Sequence, residues 1–197
     1  IGRMQGRAML EAMPAGNYAF IKGNKADPNS DFLFGGTMEI LGEAMEAGDI
    51  VNVGEQYTDN WDPSVAQRNM EQILTDNDNN VDAVVAQNDG TAGGAIAALD
   101  AQGLAGVVPV SGQDAEGAAL NRIARGTQTQ TVWVDARELG KAAAEVAIER
   151  AGGAELGDIA DTVTFSDGPN GVEMTSRLLV PVSVTQDNLG QLVEAGW

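Results

Sequence analysis

An α/β fold, built on a parallel sheet with helices on both faces, is the class this sequence predicts. Three observations carry that prediction. Strand-like and helix-like segments alternate along most of the chain. The strand-like segments are short and apolar, without the alternating polarity of a half-exposed strand, as expected where both faces are covered. The helical segments stop at proline or glycine, at Pro14, Gly48 and Gly153.

The elements follow in order. Met4 to Met13 reads as a helix stopped by Pro14, and "NYAFIKG" (Asn17–Gly23) as an apolar strand ending in glycine. Leu33 to Gly48 has apolar residues at helical spacing, and Asp49–Thr58 reads as a strand. Asp62–Asp76 is a helix with Asp62 as its cap and Pro63 in its first turn. Val81–Gln87 is a strand, and Thr91 to Gln102 a helix. "GVVPVSG" (Gly106–Gly112) reads as a strand, Ala115 to Arg125 as a helix, and Thr127–Val134 as a strand. Asp135–Gly153 is a helix. Beyond it the pattern changes to two extended segments around a "DGPNG" turn (Asp167–Gly171), then a short final helix.

Composition narrows the chemistry. The 197 residues are 43% hydrophobic, enough for one globular domain or two small ones. The net charge of -18 disfavours nucleic acid and anionic membrane surfaces as partners, because both demand Lys and Arg. With no cysteine, disulfides and thiolate metal sites are excluded. With no histidine, a Ser-His-Asp or Cys-His mechanism is impossible within this chain. No cofactor or metal is expected. "DNDNN" (Asp76–Asn80) looks like the start of a calcium loop, but Val81 replaces the needed glycine and Gln87 the bidentate glutamate. It reads as a solvated helix end. No apolar run reaches membrane-spanning length and no signal peptide is visible. The opening "IGRMQGRAMLEAMP" already reads as a helix in progress, so the numbering is expected to start inside a longer gene product.

Polar groups recur where the strands end. The first strand leads into "KADPN", with Asp27 and Asn29; the second into "YTDNW", with Asp59, Asn60 and Trp61. The third gives Asn88 and Asp89, the fourth Gln113 and Asp114, and the fifth ends near Trp133 and Asp135. In a parallel sheet these ends converge on one edge, where ligands bind. Each residue alone has a structural reading, as a helix cap or a core aromatic. Together they match a sugar: carboxylates and amides accept from and donate to hydroxyls, and an indole face suits the C–H face of a pyranose. Neither a phosphate loop nor a G-x-G-x-x-G follows any strand.

At these residues the sequence resembles the periplasmic sugar-binding proteins of bacterial ABC transporters. The similar stretches are "GNYAFIKGNKADPN", "QNDGTAGGAIAALDAQGLAG", "VSGQDAEGAALNRIARGTQTQTV" and "SRLLVPVSVT". The resemblance covers the carboxyl-terminal two-thirds of that family's length. It implies a sugar-binding lobe of 1–134 and 180–197, the family's carboxyl-terminal lobe, with 135–179 as the remnant of a second, incomplete one. Carried over by position, Asp27, Asn29, Trp61, Asn88 and Asp114 are the expected ligand contacts. Trp61 would stack on the sugar, Asp114 would accept from two adjacent hydroxyls, and Asp89 would be structural. The implied ligand is an aldopentose, D-xylose first. The implied partner is an ABC permease, and the implied location the periplasm, with no enzymatic activity. One departure stands out: the family places a lysine after the aromatic of its "TVY", and here that residue is Val134. The alternatives are a sugar-responsive effector domain of a transcription repressor, an α/β enzyme using Asp27, Asp89 or Asp114, and an incomplete lobe with no competent site.

Overall fold

The computed structural model describes residues 1–165, 173–194 and 196. The chain divides into two compact units, Ile1–Trp133 with Ser183–Trp197, and Val134–Val182.

The larger unit is organised around β1 (Gly16–Lys22), whose last five residues are all buried. The chain enters β1 from α1 (Gly2–Ala12) and leaves it through α2 (Pro28–Ala47) to β2 (Ile50–Tyr57). It returns through α3 (Pro63–Asp76) to β3 (Ala83–Ala86), which is followed by α4 (Asp89–Ala101). All pairings are parallel and the strand order is β2-β1-β3. Side chains of β1 alternate between two cores, as successive strand residues must. Tyr18 and Phe20 pack with Met9 of α1 and Leu41 of α2. Ala19 and Ile21 pack with Met70 and Ile73 of α3 and with Ala95 and Leu99 of α4. Helices therefore cover both faces, as the apolar, non-alternating strands predict.

Three elements differ from expectation, one of them the strand expected over Thr127–Val134, of which only Thr131–Trp133 forms. Helix α2 begins at Pro28, five residues before Leu33, because Asp27 caps it by accepting from Asn29 N at 2.9 Å and Pro28 opens the first turn. "GVVPVSG" does not form a strand. It contributes two isolated parallel bridges, Val84↔Val110 beside β3 and Ala105↔Val108. Pro109 lacks an N–H and serves only as an acceptor, from Val84 N at 2.9 Å.

The unit continues through α5 (Gly117–Ala124) to the short β4 (Thr131–Trp133). The smaller unit then carries α6 (Ala136–Ala151), capped by Asp135, and an antiparallel pair, β5 (Thr162–Phe165) with β6 (Met174–Arg177). The expected turn at Asp167–Gly171 lies outside the described residues. The chain re-enters the larger unit on β7 (Val182–Val184), which pairs with β4, and ends on α7 (Leu189–Glu194). Val184 and Leu192 close a small core with Ala115.

Candidate functional site

Because β1 sits between β2 and β3, the connections leaving β1 and β3 go to opposite faces of the sheet. Helix α2 joins the α1 side and α4 the α3 side. A crevice opens at the carboxyl ends of strands at such a reversal, with helix starts on either side of it. A cleft of about 340 Å³ lies there, lined by Asn29, Trp61, Asn88, Gln113 and Asp114, with Leu33 and Ile1 as its apolar wall. That volume is at the small end of ligand pockets, roughly 300–1,000 Å³.

Each polar group is held by local backbone chemistry. Asn29 stands exposed in the first turn of α2, just past the Asp27 cap. Trp61 ends a single 3-10 turn (Asp59–Trp61), with Asn60 and Trp61 at φ 56 and 57. Non-glycine residues in this left-handed region are strained and need support from their surroundings. Support comes from the Trp61 Nε1–H, which donates to Asp27 Oδ2 at 3.1 Å, and from Gly23, against which the ring packs. A Cβ at Gly23 would lie 2.0 Å from the indole, so only glycine admits this approach.

Asn88 caps α4 in a reciprocal capping box with Thr91, its Oδ1 accepting from Thr91 N at 2.8 Å. That acceptor is committed to the helix, whereas the Asn88 side-chain amide lies beside the Asp114 carboxyl, where it partly opposes the rise in pKa that burial causes. Asn88 is therefore both cap and cleft residue. Asp114, at φ 101, is exposed to the cleft, yet the protein around its carboxyl is dense enough that desolvation raises its pKa. Gln113 Nε2 donates to Asp114 Oδ1 at 3.3 Å.

Four of the five expected residues, Asn29, Trp61, Asn88 and Asp114, line one cleft. Asp27 does not. Its two carboxylate oxygens each accept one hydrogen bond, from Asn29 N and from Trp61 Nε1, so it orients two of the cleft residues from outside the lining. Asp89 is fully buried. Its carboxyl is pushed up to about 6 by burial, against the opposing hydrogen bonds of Gln128, Glu116 N and Thr131.

Two residues escaped the sequence reading. Gln113, flagged only as polar, lines the cleft. Gln87 is buried and ties the site together: Oε1 accepts from Gly23 N and Nε2 donates to Ser30 O, both at 2.7 Å. A buried amide after an apolar strand was the only available signal. Among the described residues no group of three or more acidic side chains is placed to hold a metal. The lining offers amides, an indole and one carboxylate, with no cationic side chain to take a phosphate.

A doubly wound α/β lobe with a polar and aromatic cleft at its switch point defines a small-ligand-binding module. The chain belongs to the periplasmic binding protein domain family, whose model matches residues 1–155. It is 45% identical over 193 residues to the D-xylose-binding periplasmic protein of Escherichia coli (strain K12), covering 98% of this chain and 57% of that protein. The protein of the same name from Haemophilus influenzae is 41% identical over 194 residues, with the same coverage of 98% and 57%. Among solved structures, an ABC transporter solute-binding protein from Clostridium phytofermentans with bound β-D-glucose superposes with a TM-score of 0.83 at 26% identity. That match covers 99% of this chain and 64% of that one. The chain thus spans 57% of the length of these curated relatives.

Proposed function

We propose that this chain is part of a periplasmic solute-binding protein that takes an aldopentose, D-xylose first, and delivers it to an ABC permease. In this reading residues 1–134 and 180–197 are the sugar-binding lobe, and 135–179 belong to the second lobe. The carrying observation is the convergence of Asn29, Trp61, Asn88 and Asp114 on one cleft from four separate segments of the chain. The ring of Trp61 offers an apolar platform, Asp114 accepts from paired hydroxyls, and the Asn29 and Asn88 amides add donors. Closure over the sugar then selects the form that the permease meets. The names of the two curated relatives support xylose, while glucose in the structural neighbour makes the choice of sugar the open term.

The test is a titration of the chain with D-xylose, D-glucose and D-ribose, followed by NMR shifts of the tryptophan indole N–H groups. Saturable perturbation of Trp61, strongest with xylose, is expected. One lobe encloses one sugar face, so binding in the millimolar range is expected, about -4 kcal/mol at 1 mM. No saturable response to any of the three sugars would sink the reading.

A further inference from the structure

Asp89 follows Asn88 directly but is fully buried and does not line the cleft. Its side chain nevertheless gathers donors from separate segments. Oδ1 accepts from Gln128 Nε2 at 2.8 Å. Oδ2 accepts from Glu116 N at 3.0 Å and from the Thr131 hydroxyl at 2.9 Å. That same hydroxyl accepts from Ala115 N at 3.2 Å, and Asp89 N donates to Gln113 O at 2.9 Å. The backbone around Asp114 is thus tied to Asp89 at Gln113, Ala115 and Glu116. Asp114 and Ala115 have φ 101 and 54, a left-handed pair that persists only where the surroundings over-determine it. Gly112 belongs to the same device, since a Cβ there would lie 2.1 Å from Asp89 Oδ1.

We propose that Asp89 is a positioning residue for ligand binding: its carboxylate clamps the Gln113–Glu116 turn so that Asp114 faces the cleft, and protonation of that carboxylate loosens the turn. The proposal rests on the reading of the cleft as a sugar site. An ionised carboxylate only accepts, and here three donors point at it. A proton on either oxygen faces donors rather than an acceptor and removes the charge that strengthens the three bonds, so the contacts weaken. The charged groups facing Asp89 are few. Asp114 and Glu116 come from the turn, and Arg122 of α5 donates to Asp89 O at 2.8 Å. The segment carrying Gln128 and Thr131 presents only neutral side chains. Burial sets the Asp89 midpoint near 6, within reach of a mildly acidic medium.

The test follows the backbone amide resonances of Gln113, Ala115 and Glu116 from about pH 7.5 to about pH 4.5, first without ligand. A shared inflection at the Asp89 midpoint is expected. Thr131→Val removes one donor to the carboxylate, so its inflection should move to higher pH, and Thr131→Ser should restore the parent value. D-xylose affinity, read from the same spectra, should fall roughly three- to tenfold in T131V near neutral pH, the scale of one hydrogen bond. T131S should keep the parent affinity, and the parent should lose a similar factor on acidification. Asp89→Asn supplies an independent arm should T131V fail to fold: the inflection should vanish. Flat amide shifts, an inflection that persists in D89N, or T131V with parent midpoint and parent affinity would each overturn the proposal. An inflection that behaves as expected in a chain that ignores every sugar would establish the clamp and overturn the sugar reading instead.

Discussion

Trp61 Nε1 donates to Asp27 Oδ2 at 3.1 Å, across 34 residues of sequence. The same carboxylate caps α2 through its other oxygen. One side chain therefore starts the helix that carries Asn29 and holds the indole of Trp61.

Replacing Asp27 with alanine should accordingly do two things at once. Loss of the cap is expected to lower stability by about 1 kcal/mol, read as a shift in the urea midpoint. Release of the indole should weaken sugar binding although Asp27 does not line the cleft. Parent affinity in D27A would mean that the indole is held by packing alone.

Gly23→Ala tests that packing directly. The added methyl would meet the Trp61 ring at 2.0 Å, so the ring must move. A destabilisation of about 1–3 kcal/mol is expected, the usual cost of overpacking. The indole N–H response to xylose should be lost with it. An unchanged indole resonance in G23A would refute the close approach.

Asp114→Ala removes a charge-assisted acceptor, and such bonds contribute roughly 1.5–3 kcal/mol each. Pentose affinity should drop at least about tenfold with the circular dichroism spectrum retained. Calorimetry on the full-length protein that finds unchanged affinity would take Asp114 out of the site.

Asp89 gives a pH dependence of defined sign. Its folded pKa of about 6 lies above the ordinary 3.8, so the folded state takes up the proton first. The burden of burying the charge is complete above about pH 6 and disappears as pH falls below the ordinary carboxylate value. Stability should therefore rise on acidification, by on the order of 3 kcal/mol from this group. Asp62 and Asp135, whose pKa values are lowered first by side-chain hydrogen bonds with Ser64 and Arg137 and further by their cap N–H bonds, act in the opposite sense and below that window. Urea unfolding at about pH 7 and about pH 4.5 should show a smaller gain in D89N than in the parent. Equal gains would place the effect on other carboxylates. The fold tightens under the same conditions in which the proposed clamp loosens, so stability and affinity should move in opposite directions.

Much of this was legible because chemistry sits at predictable places in a parallel sheet. Asn29, Trp61, Asn88 and Asp114 were readable as polar or aromatic groups just past strand ends, and they meet in one cleft. The start of α2 was misplaced because Pro28–Phe32 is mostly polar, so apolar periodicity begins only at Leu33. Its cap, Asp27-Pro28, has the same form as Asp62-Pro63, which was read correctly. The strand expected at Gly106–Gly112 failed because apolar composition does not register the missing N–H of Pro109. The roles of Asp27 and Gln87 depend on partners 34 and 57 residues away, and no local pattern carries such information.

The pairing of β4 with β7 has a practical consequence. The chain leaves the larger unit after Trp133 and comes back at Ser183, on neighbouring strands. The intervening stretch is thus a detour that starts and finishes on paired strands, and every cleft residue precedes it. A gene joining Trp133 to Ser183 through a short flexible linker should encode a free-standing cartridge. Shortening a connection tenfold relieves about 2 kcal/mol of closure entropy, so the splice itself favours folding. Such a cartridge would serve as a minimal reagent for mapping which ligand groups this cleft can distinguish by itself.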